Sequence, residues 1–164
     1  MKVTYSSKKE YILNSEEGTF LGSLKFEKWS SSKAQMTTQF GEFYDFLPKG
    51  FWGTSIVVSK GDSDIAELKM NWKGQIVIDM LETEQKTDYL TKSHNIWKSQ
   101  YALVDPTGTE LLIITPDYKW TQGHYDFKID VNPHFTEQID ETLVLIAVYS
   151  VLYYLMMQAA AAAS

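Results

Sequence analysis

The side chains able to do acid–base or metal chemistry are few and scattered in this sequence. The three histidines, His94, His124 and His134, lie far apart and in neither HxH nor HExxH spacing, so a metal site would have to be assembled wholly by the fold. His124 and Asp126 alternate on a predicted strand and share one face, which makes them the candidate proton-transfer pair. That face of an alternating strand is also the solvated one, and no GxSxG motif supplies a serine for them to activate.

Other catalytic signatures are equally weak. Close acidic residues such as Glu42 and Asp45 could form a glycosidase dyad, but 21 acidic residues guarantee accidental pairs. The chain has 0 cysteines and neither a GxGxxG nor a GxxxxGK[ST] motif. We therefore favour a protein without catalytic activity and expect no metal or cofactor. A rim site built from His124, Asp126 and a loop carboxylate stays open as an alternative.

Aromatic residues beside lysines are the most informative surface candidates. In Lys49-Gly50-Phe51-Trp52-Gly53, two large aromatics next to a lysine are suited to a membrane interface or to stacking on a ligand. Trp72-Lys73 and Lys119-Trp120 repeat the pairing. The sequence thus predicts ligand or membrane contact by Lys49, Phe51, Trp52, Lys73 and Trp120. The alternative is that Phe51 and Trp52 begin a strand and plug one end of the fold.

The charge composition excludes one large class of partner. The formal net charge is −6, and all 15 basic residues are lysines, dispersed along the chain. Arginine is the usual residue for bidentate recognition of phosphate and guanine, so nucleic-acid binding is disfavoured. The absence of cysteine and of a leader-like apolar run at the start predicts a cytoplasmic protein, either free or peripheral to a membrane. Attraction to anionic lipid would have to come from a local lysine group and is expected to be weak.

The elements that must position these residues are short strands. Apolar and polar residues alternate with period two in many segments, for example along Tyr125, Phe127, Ile129 and Val131. Between segments, sequences such as Asp105-Pro106-Thr107-Gly108 have the chemistry of hairpin turns. No linker or composition shift divides the chain, so we expect one domain over residues 1–164. Successive hairpins predict an antiparallel meander.

The last part of the chain has a different character. The run from Leu143 to Met157 is apolar on every side and predicts a helix at about 139–158, with Asp140 or Thr136 as its cap. Such a helix is surrounded either by protein or by lipid. It is short for a membrane span and its nearest flank is acidic, which favours a core helix over a tail anchor. We expect Leu145, Ile146, Leu152 and Leu155 to be buried.

The strand-rich region and the apolar helix that follows it together predict one architecture. A closed sheet has no exposed edges, and a barrel of about 12 strands leaves a lumen too wide for its own side chains to fill. The apolar helix would occupy that lumen. The predicted fold is therefore a mainly β, closed antiparallel barrel enclosing a hydrophobic C-terminal helix.

This combination resembles the tubby C-terminal-like fold, shared by tubby proteins, phospholipid scramblases and LURP-one-related proteins. The most specific part is the segment from Tyr101 to Ile114, whose strand, Asp-x-x-Gly turn and strand are similar to those of the LURP-one-related and scramblase-like group. The resemblance implies a role at membranes or phosphoinositides without classical catalysis. The chain lacks the basic cluster with arginine of tubby proteins and the cysteine-rich segment of scramblases, so no functional residue is carried over.

The sequence leaves three functions open. The first is a non-enzymatic binding module for a lipid surface or a protein partner. The second is a small-molecule-binding or hydrolytic β-barrel, and the third is a tail-anchored membrane protein. An internal cavity with convergent polar groups would favour the second function.

Overall fold

A computed structural model describes residues 1–6, 9–28, 31–50, 55–81 and 87–162. They form twelve strands, one 3-10 helix and one α-helix. The strands are β1 (Lys2–Ser6), β2 (Glu10–Asn14), β3 (Phe20–Phe26), β4 (Ala34–Thr38), β5 (Phe43–Lys49), β6 (Ser55–Lys60), β7 (Ser63–Met70), β8 (Ile76–Met80), β9 (Thr87–Asn95), β10 (Gln100–Val104), β11 (Glu110–Lys119) and β12 (His124–Val131). The 3-10 helix is Pro133–Gln138, and the α-helix, α1, is Glu141–Ala162.

The strands form one closed antiparallel barrel. Each strand pairs with the next along the chain, and β1 closes the ring by pairing with β12, where Lys2 lies opposite Lys128 and Val3 opposite Phe127. The hairpin predicted at Asp105 to Gly108 joins β10 to β11. There the Asp105 carboxylate accepts hydrogen bonds from the backbone N–H groups of Thr107 and Thr109, and Gly108 has a φ of 90°. The prediction of a closed antiparallel barrel with a C-terminal helix is confirmed.

The enclosed helix begins later and ends later than the sequence predicts. The Asp140 side chain accepts a hydrogen bond of 2.8 Å from the Leu143 N–H, so Asp140 caps the helix, which begins at Glu141. The helix continues to Ala162 because alanine has the highest helix propensity and no residue before that point breaks the pattern. The observed helix therefore begins and ends a few residues after the predicted range of about 139–158.

The first half of α1 fills the barrel lumen. Its side chains are buried from Leu143 to Tyr153, whether their residue type is apolar, aromatic or polar. Leu145, Ile146 and Leu152 are buried as predicted, and Leu155 is half-buried. The Tyr149 ring packs against Phe46, with centroids 4.3 Å apart. Because the helix is surrounded by sheet, the absence of a polar face on it follows from its environment.

One strand glycine allows the helix to approach the sheet closely. A Cβ atom added to Gly22 of β3 would lie 2.7 Å from the Thr37 carbonyl oxygen and 2.8 Å from Leu145 Cδ1. Real Cβ atoms do not approach other atoms so closely, so this position accepts glycine alone without a shift of the helix or of β4.

The loops of the meander lie in two sets, one at each end of the barrel. Successive strands run in opposite directions, so the connections that follow odd-numbered strands lie at one end of the barrel and those that follow even-numbered strands lie at the other. The helix begins at the second end, where Gln39 of the β4–β5 connection donates a hydrogen bond to Glu141. We call this the helix-entry end. The helix runs through the lumen and emerges beside Gly123 of the β11–β12 connection, at the helix-exit end.

Candidate functional site

Three tryptophans protrude into solvent at the helix-exit end. Trp72, Trp97 and Trp120 lie in the connections after β7, β9 and β11, and their exposed fractions are 90%, 99% and 87%. Ile96 lies beside Trp97 and is 84% exposed. The helix-entry end also exposes aromatic side chains, with Phe20, Phe40 and Phe43 at 44%, 77% and 58%. Near-complete exposure of three tryptophans at the other end is more unusual and indicates a contact surface.

Tight turns hold these tryptophans outward. The Asn71 side chain accepts hydrogen bonds from the backbone N–H groups of Lys73 and Gln75, at 2.9 and 3.0 Å. The Asn95 side chain likewise accepts from the Lys98 N–H at 3.1 Å. Trp72 and Trp97 therefore occupy the tips of turns whose bases are fixed by an asparagine. Both indole rings point away from the core into solvent.

Lysines accompany the tryptophans. The Lys73 ammonium lies 5.1 Å from the centre of the Trp72 ring, within the range of a cation–π contact. Lys98 follows Trp97 directly and is exposed, and Lys119 precedes Trp120 and pairs with Asp117. Further exposed lysines of this end are Lys9, Lys28, Lys33 and Lys49. The described parts of the connections at this end contain one acidic residue, Glu27, and the adjoining strand ends add Glu10 of β2 and Asp117 of β11.

The helix-entry end carries the opposite charge. The described parts of its connections, together with the first residue of α1, contain the acidic residues Glu16, Glu17, Glu42, Asp62, Asp105, Asp140 and Glu141. The described lysines at this end are two strand residues, Lys2, which begins β1, and Lys60, which ends β6 and pairs with Glu42. The formal net charge of −6 is therefore distributed unequally along the barrel axis. The protein has an acidic end and a lysine-rich, tryptophan-rich end.

Part of this asymmetry has a structural explanation. Acidic residues near the first turn of α1 and basic residues near its last turn complement the helix dipole. That effect extends over about one turn, so it accounts for Asp140 and Glu141 but not for Glu17 or Asp62. It also gives no reason for the exposed tryptophans. The helix dipole therefore leaves the combination of lysine and tryptophan at one end unexplained.

The structure places the predicted contact residues at this same end. Lys49 ends β5, Lys73 lies in the β7–β8 connection, and Trp120 lies in the β11–β12 connection. Phe51 and Trp52 lie outside the described residues. Sequence reasoning did not single out Ile96 and Trp97, although Trp97-Lys98 repeats the Trp72-Lys73 pair and was a usable signal.

The alternative catalytic pair is not arranged for proton transfer. His124 Nε2 lies 3.9 Å from Asp126 Oδ1, which is too long for a hydrogen bond, and that oxygen accepts instead from the Tyr5 N–H at 3.0 Å. His94 Nδ1 contacts Glu110 at 3.0 Å on the exposed surface. Within the described ranges, no group of three histidine or acidic side chains could hold a metal ion. This geometry gives no support to a rim active site.

The helix also has the composition of a membrane span. In the part of the chain that the structure describes, α1 is the one helix long and apolar enough to cross a bilayer, and 56% of its most apolar window is buried inside the protein. Its last residues, Met157 to Ala162, are exposed beyond the helix-exit end. The tryptophans and the emerging helix thus share one end of the molecule.

Comparison with known proteins gives no relative from which a role could be transferred: no protein-family model, curated protein or solved structure matches this chain.

Proposed function

We propose that this protein is a non-enzymatic module of the cytoplasm that docks on lipid membranes through its helix-exit end. The observation that carries the proposal is the presence of Trp72, Trp97 and Trp120 at that one end, almost fully exposed and each adjacent to a lysine. Indole rings favour the membrane–water interface because they combine a large apolar surface with one N–H donor. Three of them on rigid turns present a ready-made interfacial contact.

The charges support the same orientation. Lysines of the helix-exit end would face the anionic headgroups of a cytoplasmic leaflet, while the acidic helix-entry end would point away from the membrane. A net charge of −6 therefore does not prevent docking, because repulsion is greatest when the acidic end approaches. The exposed Met157 and the alanines after it add apolar surface on the membrane-facing side.

The resemblance to the tubby C-terminal-like fold forms part of this proposal. It is supported by the closed barrel around a hydrophobic helix. A protein partner is the competing occupant, since tryptophan is also enriched at the centres of protein interfaces. The pairing of each tryptophan with a lysine and the acidic opposite end favour the membrane.

Vesicle co-sedimentation tests the proposal. Phosphatidylcholine vesicles with and without phosphatidylserine would be mixed with the parent, with a Trp72→Ala, Trp97→Ala, Trp120→Ala triple variant, and with a Lys73→Ala, Lys98→Ala double variant. The matched control is Phe40→Ala, because Phe40 is a 77% exposed aromatic in the β4–β5 connection at the helix-entry end.

We expect the triple variant to lose binding to both kinds of vesicle and the double variant to lose the increment due to phosphatidylserine. High salt should remove the same increment, since the Debye length falls to about 3 Å at 1 M. Phe40→Ala should bind as the parent does. Sedimentation of the triple variant to the same extent as the parent would overturn the proposal.

A further inference from the structure

A groove opens beside the emerging helix at the helix-exit end. It has a volume of about 320 Å³ and lies between the second half of α1 and the strands β2, β3 and β12. Leu152, Leu155 and Ala159 line the helix side, and Tyr11, Phe26 and Tyr125 line the strand side. The small residues Ala159 and Gly123 leave the space open where larger side chains would close it.

The lining selects an apolar occupant. Its walls are leucine, methionine and aromatic rings, which stabilise hydrocarbon by removing it from water. The volume is at the lower limit of small-molecule sites, about 300 to 1,000 Å³, so the groove suits one chain and not a bulky ring system or the two chains of a lipid together. Met156, a flexible side chain of the lining, can adjust to a chain of variable length.

The surroundings of the groove point to a membrane as the source of that chain. Tyr118 belongs to the lining, and its ring lies 4.9 Å from the ring of the exposed Trp120. Phe26 of the lining donates a backbone hydrogen bond of 3.0 Å to the Lys9 carbonyl oxygen, and Lys28 follows two residues after Phe26. The groove therefore opens next to Trp120, at the same end of the barrel as the exposed lysines.

One buried polar atom is unexplained by the fold. His124 lines the groove, is 7% exposed, and its Nδ1 has no hydrogen-bond partner among the described residues. Its ring is held against Tyr5, with centroids 4.3 Å apart. A buried nitrogen without a partner is costly, and such a group in a native structure calls for an explanation.

We infer that this groove binds one acyl chain of a membrane lipid, with the headgroup of that lipid outside the groove at the lysine-rich helix-exit end. The inference rests on the proposed membrane docking, because docking brings the groove to the bilayer surface. It adds a specific lipid site to what would otherwise be a general interfacial contact.

Titration calorimetry with lauroyl lysophosphatidic acid, a single-chain anionic lipid used below its critical micelle concentration, tests the site. Ala159→Trp places an indole in the groove, and Ala160→Trp is the matched control. Both alanines are exposed residues of the last turns of α1, but Ala160 does not line the groove. We expect saturable one-to-one binding by the parent, binding at least tenfold weaker for Ala159→Trp, and parent-like binding for Ala160→Trp. No binding by the parent, or equal weakening in both variants, would overturn the inference.

The same proteins assayed on vesicles separate the two proposals. Vesicle binding by the parent without lysolipid binding means that the groove inference fails while membrane docking stands. The opposite result is a parent that does not bind vesicles but binds lysolipid, with that binding weakened by Ala159→Trp. It would overturn membrane docking, and with it the assignment of a membrane lipid as the source of the acyl chain. If membrane docking and the groove site are both correct, the triple tryptophan variant loses vesicle binding and keeps lysolipid binding.

Discussion

Ser150 of the enclosed helix and Thr91 of β9 form a hydrogen bond in the buried core, with 2.7 Å between their side-chain oxygens. Ser150 Oγ also donates to the Ala147 carbonyl oxygen at 2.7 Å, so the Thr91 hydroxyl is the donor of the pair. This contact explains how a polar residue is accommodated in the middle of an apolar helix. It also fixes the rotation of the helix relative to β9.

We expect Ser150→Ala to destabilise the protein, because it leaves the Thr91 hydroxyl buried without this acceptor. The cost of such an orphaned group is about 1 to 3 kcal/mol in the free energy of unfolding. Adding Thr91→Val removes the orphan while keeping the shape, so the double variant should recover much of the loss. Urea denaturation of the two single variants and the double variant measures this. Strictly additive losses would show that the two hydroxyls are not coupled.

Gly22→Ala tests the close approach of helix and sheet. The added methyl would overlap both the Thr37 carbonyl oxygen and Leu145, so we expect a loss of about 1 to 3 kcal/mol in the free energy of unfolding. In a Leu145→Ala background the added methyl should cost less, because one of its two collisions has been removed. Thermal denaturation of the four proteins in the cycle checks this. An equal cost in both backgrounds would contradict the packing described for β3 and α1.

Buried tyrosines should make the protein sensitive to alkali. Burial raises the pKa of Tyr11 and Tyr149, and it raises the pKa of Tyr101 from 10.0 to about 12. The unfolded chain therefore loses these protons first, and stability present below pH 10 should fall as the pH rises from 10 toward 12. Each tyrosine that is ionised in the unfolded chain but still protonated in the folded protein contributes about 1.4 kcal/mol per pH unit to that slope.

Tyr101→Phe removes one of these groups and should make the alkaline fall in stability less steep. Urea denaturation at a series of pH values, with tyrosinate absorbance followed in parallel, measures the slope. A parent whose tyrosines all ionise near pH 10 without loss of structure would contradict this account of their burial.

Most of the fold could be predicted from the sequence, because period-two alternation and an apolar helix are strong local signals. The site was harder to predict. In a meander, a loop lies at one end of the barrel if it follows an odd-numbered strand and at the other end if it follows an even-numbered strand. A single strand missed in the sequence would therefore assign every later loop to the wrong end. Trp72, Trp97 and Trp120 could be grouped only once every strand between them was known.

The groove could not be predicted at all from the sequence. It is lined by residues such as Gly123 and Ala159, which are far apart in the sequence and belong to different parts of the fold. The observed helix boundaries also differ from the predicted ones. The start of the helix depends on whether the side chain of Asp140 or of Thr136 reaches a free N–H group, which the sequence does not show.

The most direct test of membrane docking through the helix-exit end uses the absence of cysteine from the chain. Trp97→Cys and Phe40→Cys each introduce one reactive thiol, at exposed positions of opposite ends of the barrel. Each variant would be labelled with a fluorophore whose emission shifts to the blue in an apolar environment, and then titrated with phosphatidylserine-containing vesicles. We predict a blue shift and increased intensity for the label at position 97 and an unchanged spectrum for the label at position 40. A spectrum that stays unchanged at position 97, or a shift confined to position 40, would contradict the account.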